Sequence, residues 1–155
     1  MSSLYLVRHA KAGDRHDYRG DDRLRPLTKP GWRQAEGLVA LLADVSITRL
    51  LSSPYTRCMQ TLEPLAAARS MPVEPDPRLA EGNGFTPVLA LFDELGEQGD
   101  GTVLCSHGDV IPEVVDALVR RGARMLGQPD WRKGATWKLD RDGDTWISAA
   151  PLTPG

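Results

Sequence analysis

The chain has 155 residues, of which 41% are hydrophobic and 26% charged, with a formal net charge of −2. That length fits one domain over 1–155 with a single substantial core, and the near-neutral balance excludes a bulk electrostatic footprint for a nucleic-acid polymer. No apolar run approaches membrane-spanning length and no leader-like segment precedes the first strand, so the expectation is a cytoplasmic protein without a membrane partner. Leu4-Tyr5-Leu6-Val7 is a continuous apolar run that ends in Arg8-His9. Continuous rather than alternating apolar character predicts a strand covered on both faces, hence a parallel sheet. In open α/β sheets ligands bind beyond the carboxyl ends of strands, which is where Arg8 and His9 fall.

Residues 13–26 form a polar loop whose charges largely cancel. It leaves the strand end that carries His9, so a few of its members are expected at the mouth of a site. His16 is expected to be exposed rather than catalytic. Thr28 is a good helix cap and Pro30 fits a first turn, which predicts a helix over 29–42 with Ala35, Leu38, Val39 and Leu42 inward. Arg49-Leu50-Leu51 reads as a short strand ending at Ser52-Ser53-Pro54. Pro54 then opens a helix carrying Arg57, Gln60 and Thr61, kinked or interrupted at Pro64. Met71-Pro72-Val73 reads as an edge strand because prolines follow it. Leu79-Ala80-Glu81 leads into the turn Gly82-Asn83-Gly84. Thr86 is expected to cap a helix with Pro87 at its first position.

Thr102 to Cys105 repeats the opening arrangement: an apolar run that ends in Ser106-His107-Gly108. Two of the three histidines thus stand at the ends of predicted core strands. Neighbouring parallel strands would bring both imidazoles to one sheet edge. A helix through Val114, Val115, Leu118 and Val119 follows, and 122–134 is irregular by composition. Runs over 135–139 and 145–148 flank an Asp-Gly turn and predict a β-hairpin. The tail 151–155 is expected to fray. Cys58 and Cys105 fall in a predicted helix and strand and read as small buried hydrophobes, not as a disulfide framework. The expected fold is a three-layer α/β/α domain with a mostly parallel central sheet and a C-terminal β-hairpin.

Leu6-Val7-Arg8-His9-Ala10, the segment from Ser52-Ser53-Pro54 through Arg57 to Thr61, and Ser106-His107-Gly108 together resemble the histidine phosphatase (phosphoglycerate-mutase-like) superfamily. Leu27-Thr28-Lys29-Pro30-Gly31 and Leu79-Ala80-Glu81 fit the same pattern in the same order. The chain resembles the short phosphohistidine-phosphatase-like (SixA-like) branch. It also resembles the phosphatase domain attached to some Nudix-type hydrolases. Ala10 departs from the commonest form, which has Gly there.

The resemblance implies a phosphatase with His9 as nucleophile; the residues alone do not choose His9 over His107. Arg8 and Arg57 can each offer paired donors to phosphate oxygens, and His107 adds a third contact. A phosphohistidine at His9, hydrolysed by water, divides one difficult step into two easier ones. Glu81 matches the family's proton-donor position, with Asp109 as the alternative. No cofactor is implied. A zinc site from the same histidines with Glu81 or Asp109 is disfavoured, because two flanking arginines would repel a divalent ion. The expected partner is a phosphorylated small molecule, such as a nucleotide or another phosphomonoester, or a phosphohistidine protein. A module that binds phosphate without turnover is the competing class.

Overall fold

A computed structural model describes residues 1–153 of the chain. Its first strand, β1 (Ser2–Arg8), accounts for the apolar run by burying both of its faces. Leu4 and Leu6 pack with Leu104, Val114, Val115 and Trp137 on one side. Tyr5 and Val7 pack with Leu38, Leu42, Leu62 and Val103 on the other. Successive side chains of a strand point to opposite faces, so a strand between two helix layers must be apolar at every position.

The remaining strands are β2 (Arg49–Ser52), β3 (Val73–Pro75), β4 (Thr102–Ser106), β5 (Arg124–Met125), β6 (Thr136–Asp142) and β7 (Thr145–Leu152). They form one seven-stranded sheet in the order β3-β2-β4-β1-β6-β7-β5. From β3 to β1 every pairing is parallel, whereas β6 joins β1 antiparallel and carries β7 as its hairpin partner. Residues of α1 (Lys29–Leu41) and α2 (Thr56–Arg69) pack on the face of Tyr5 and Val7. Those of α3 (Thr86–Leu95) and α4 (Ile111–Arg120) pack on the face of Leu4 and Leu6. The architecture is the expected layered α/β fold with a mostly parallel sheet and a C-terminal hairpin. Among the described residues no helix is long and apolar enough to cross a membrane.

Several elements depart from expectation for local reasons. The second helix starts at Thr56 rather than Pro54 and runs unbroken through Pro64 to Arg69. Leu62 and Leu65, on either side of Pro64, are fully buried against the sheet. That packing holds the helix across the missing amide donor. Thr86 is the first residue of α3 and not its cap; Phe85 stands there without a side-chain hydrogen bond. The edge strand begins at Val73, two residues later than its sequence suggests. The segment 122–134 contains the short β5, which pairs with β7. Pro151 and Leu152 are not frayed: they pair with Trp137 and Thr136. Residues 154–155, the end of the tail expected to fray, lie outside the described residues.

The first helix is capped as expected, with the Gly31 amide donating to Thr28 Oγ1 at 3.1 Å. Its start is also pressed against the strand exit. A Cβ added at Gly31 would lie 1.9 Å from the Lys11 carbonyl oxygen. Gly→Ala inside a helix ordinarily stabilises by about 1 kcal/mol. At Gly31 the sign should reverse, with a loss of about 1–3 kcal/mol from overpacking. Urea unfolding of Gly31→Ala, with Gly37→Ala as the uncrowded control, measures the difference.

Candidate active site

The parallel register of β1 and β4 builds the centre of the site. Arg8 lies opposite Ser106, and the His9 amide donates to the Ser106 carbonyl at 3.0 Å. The next residue of each strand therefore leaves the sheet at the same level. The rings of His9 and His107 come edge to face, with centroids 5.4 Å apart. Strand β2, on the far side of β4, ends at the same level and supplies Ser53.

His9 is 6% exposed. Its Nδ1 lies 2.8 Å from the carbonyl oxygen of Ala10. A carbonyl can only accept, so in the neutral ring Nδ1 carries the proton and Nε2 keeps its lone pair. Burial drives the His9 pKa down to about 4, the Ala10 carbonyl opposes this, and Arg57 and Arg8 depress it further. The Ala10 amide donates to Thr61 Oγ1 at 2.9 Å, which anchors this turn to α2. Ala10 is fully buried beside Leu27 and Ala35, and its φ is not positive. Alanine therefore occupies this position without backbone strain.

His107 is 1% exposed, and its Nε2 sits 2.8 Å from Ser53 Oγ. That hydroxyl also accepts the Tyr55 amide at 3.3 Å. A hydroxyl that gives its own hydrogen to Nε2 leaves the ring proton on Nδ1, which is buried and has no hydrogen-bond partner. Glu81 Oε2 is the nearest carboxylate oxygen, at 3.6 Å. Burial lowers the His107 pKa to about 3, helped by the neighbouring His9 and Arg57.

Arg57 is fully buried in the first turn of α2 and forms the floor. Its guanidinium donates to the Asp22 carbonyl at 2.8 Å and pairs with the carboxylates of Asp22 at 3.3 Å and Glu81 at 3.2 Å. It also lies over the Tyr55 ring, 4.9 Å from the centroid. Arg8 donates to the Trp131 carbonyl at 2.7 Å, while its Nε is buried without a partner. Gly108 makes this position possible, because a Cβ there would lie 2.6 Å from the Arg8 guanidinium carbon.

These groups open into a cleft of about 940 Å³ lined by Arg8, His9, Tyr55, Glu81, Asp109 and residues of the 11–16 segment. All five residues singled out from the sequence thus meet at one sheet edge, with Arg57 beneath the cleft. Asp109 stands on its rim, accepting the Gly82 amide at 2.9 Å, and His16 is exposed at its mouth. The polar loop contributes more than its cancelling charges suggest. Asp22 joins Arg15, Arg25 and Arg57 through one carboxylate. Asp22, Ser53, Tyr55 and Lys133 are the site residues that sequence reasoning missed. Ser53 and Tyr55 flank the Pro54 already assigned to a strand end, and Asp22 belongs to the loop expected to supply members to the site mouth, which were available signals; Lys133 offered none. Among the described residues no group of three His, Cys, Asp or Glu side chains is arranged to hold a metal ion.

The sheet edge thus presents two buried neutral imidazoles and two arginines. The chain belongs to the histidine phosphatase superfamily (branch 1), whose pattern it matches over residues 4–84. It is 36% identical to an 8-oxo-(d)GTP phosphatase of Mycolicibacterium smegmatis over 98% of its own length. It spans 48% of that relative. Its fold matches the protein histidine phosphatase SixA complexed with tungstate, with a TM-score of 0.74 and 24% identity over 98% of this chain and 97% of that one. It also matches a mycobacterial glucosyl-3-phosphoglycerate phosphatase, with a TM-score of 0.68 and 18% identity over 96% of this chain and 100% of that one.

The buried imidazoles make stability depend on pH. Each is neutral when folded, with a pKa depressed from 6.5 to about 4 for His9 and about 3 for His107. Below pH 6.5 the unfolded chain takes up protons that the folded chain refuses, so stability falls with falling pH and these two contributions level off below about 3. Urea midpoints between pH 7 and pH 4 should drop in the wild type and drop less in His107→Gln.

Proposed function

We propose that this chain is a metal-independent phosphatase that hydrolyses a phosphomonoester or phosphohistidine through a covalent phosphohistidine on His9. The observation that carries this reading is the hydrogen bond from His9 Nδ1 to the Ala10 carbonyl. It leaves Nε2 as an unprotonated nucleophile at neutral pH, next to two arginines and a second imidazole. Arg8, Arg57 and His107 Nδ1 would hold the phosphoryl oxygens, and fixed donors of this kind stabilise the charge that builds there during transfer. The bond from Nε2 to phosphorus forms as the bond to the leaving oxygen breaks. Glu81 in its acid form would give that oxygen a proton. Phosphate arriving on Arg57 displaces the Arg57–Glu81 pair and frees the carboxyl group for this task. Water then attacks the phosphohistidine and gives a proton back to the Glu81 carboxylate, the P–N bond breaks, and His9 returns neutral with inorganic phosphate released. A nucleotide as substrate is the second reading, supported by the name of the 36% identical mycobacterial relative.

Rapid alkaline quenching during turnover of p-nitrophenyl phosphate should trap an acid-labile phosphoryl group on His9. His9→Ala should show neither the adduct nor turnover while keeping its circular dichroism. Full activity in that variant removes His9 from the nucleophile's role.

The leaving group tests Glu81. An alkoxide needs a proton as it departs and nitrophenolate does not. Glu81→Gln should lower alkyl phosphate hydrolysis roughly 10²–10⁴-fold, the usual worth of a positioned acid, and p-nitrophenyl phosphate hydrolysis far less. Equal losses on both substrates would reassign Glu81 to binding, and unchanged rates on both would favour Asp109 or solvent as the donor.

A further inference from the structure

The cleft holds more positive charge than one phosphoryl group uses. Arg15, Arg25 and Arg57 are each paired with Asp22, and Arg15 and Arg57 also with Glu81. Lys11 and Lys133 line the same cleft, and neither makes an ion pair or a side-chain hydrogen bond among the described residues. Both stand on backbone fixed to the end of β1. The Lys11 amide donates to Gln34 Oε1 at 2.8 Å, and its carbonyl accepts the Thr28 amide at 3.0 Å. The amide of Gly134, next to Lys133, donates to the carbonyls of Arg8 and His9, both at 3.1 Å. The lysines thus enter the cleft that His9 lines from two separate places in the chain, one just after β1 and one just before β6. Nothing in the proposed transfer at His9 occupies them.

We propose that Lys11 and Lys133 form a second anion subsite, so that the preferred substrate carries a second phosphate next to the one transferred, as in a nucleoside diphosphate. This rests on the phosphatase reading for its chemistry but not for its binding. Burial and the neighbouring Arg8, Arg25 and Lys11 push the Lys133 pKa down. An anion between the lysines relieves that repulsion. In the reaction, His9 Nε2 takes the terminal phosphoryl group and the bridging P–O bond breaks. The electron pair stays on the departing phosphate, which the lysines neutralise, and water completes the hydrolysis. A phosphate leaving group is a weaker base than an alkoxide and makes less demand on Glu81.

Binding can be read without turnover. Calorimetry should compare orthophosphate with a methylene-bridged guanosine diphosphate analogue. The wild type should bind the analogue at least 10-fold more tightly. Lys11→Met/Lys133→Met should lose that margin, and Lys11→Arg/Lys133→Arg should restore most of it. In turnover, the Met pair should lower kcat/KM for guanosine diphosphate at least 10-fold more than for p-nitrophenyl phosphate. Equal affinity of the wild type for both ligands overturns the subsite, as does a margin that survives in the Met pair. A margin that depends on the lysines in a protein that cleaves neither substrate upholds the subsite and overturns the phosphatase reading instead.

Discussion

The parallel pairing of β1 with β4 is the constraint on which the site depends. It aligns Arg8 with Ser106 and ties the His9 amide to the Ser106 carbonyl. From that single register follow the edge-to-face contact of His9 with His107 and the closeness of both rings to the helix start that carries Arg57. A one-residue slip would turn every side chain of a strand to the opposite face. Here it would put Tyr5 and Val7 among the partners of Leu4 and Leu6, so the two-sided core protects the register and through it the site.

Burial sets the chemistry at that edge. An imidazole removed from water and placed beside arginines cannot keep a second proton, so both rings are neutral where an exposed histidine would be partly charged. Neutral rings leave the arginines as the fixed positive charges. A buried guanidinium without partners would be costly, and Arg57 is held by the Asp22 carbonyl and by the carboxylates of Asp22 and Glu81. Those acids neutralise the buried guanidinium, and in the proposed reaction they are the contacts a phosphoryl group would displace.

Hydrogen bonds decide which nitrogen of each ring is available. The Ala10 carbonyl claims Nδ1 of His9, and the Ser53 hydroxyl serves Nε2 of His107. The first ring thus presents a lone pair at Nε2, while the second has its Nε2 tied to the residue after β2. Absent side chains matter as well: Gly108 leaves room for the Arg8 guanidinium, and Gly31 for the Lys11 carbonyl.

The sequence by itself determined the strands, apart from β5, and their helices. An apolar run closed by Arg8-His9, its repeat closed by Ser106-His107-Gly108, and the capped helix at Thr28 are local patterns, and local patterns survive in one dimension. It also placed Arg8, His9 and His107 at strand ends and Arg57 at a helix start, while Glu81 stood out only through the resemblance to the family. Only the tertiary structure decided what surrounds them. Asp22 lies in a loop whose charges appear to cancel until three arginines from separate places meet its carboxylate. Lys133 lies in a segment without periodicity and reaches the cleft because the Gly134 amide bonds back to β1. Leu62 and Leu65 carry a helix past Pro64 through packing that no propensity records. The physical reason is common to all three. Propensity and periodicity act between residues a few positions apart, whereas ion pairs, crowding and burial act between groups that only folding brings together.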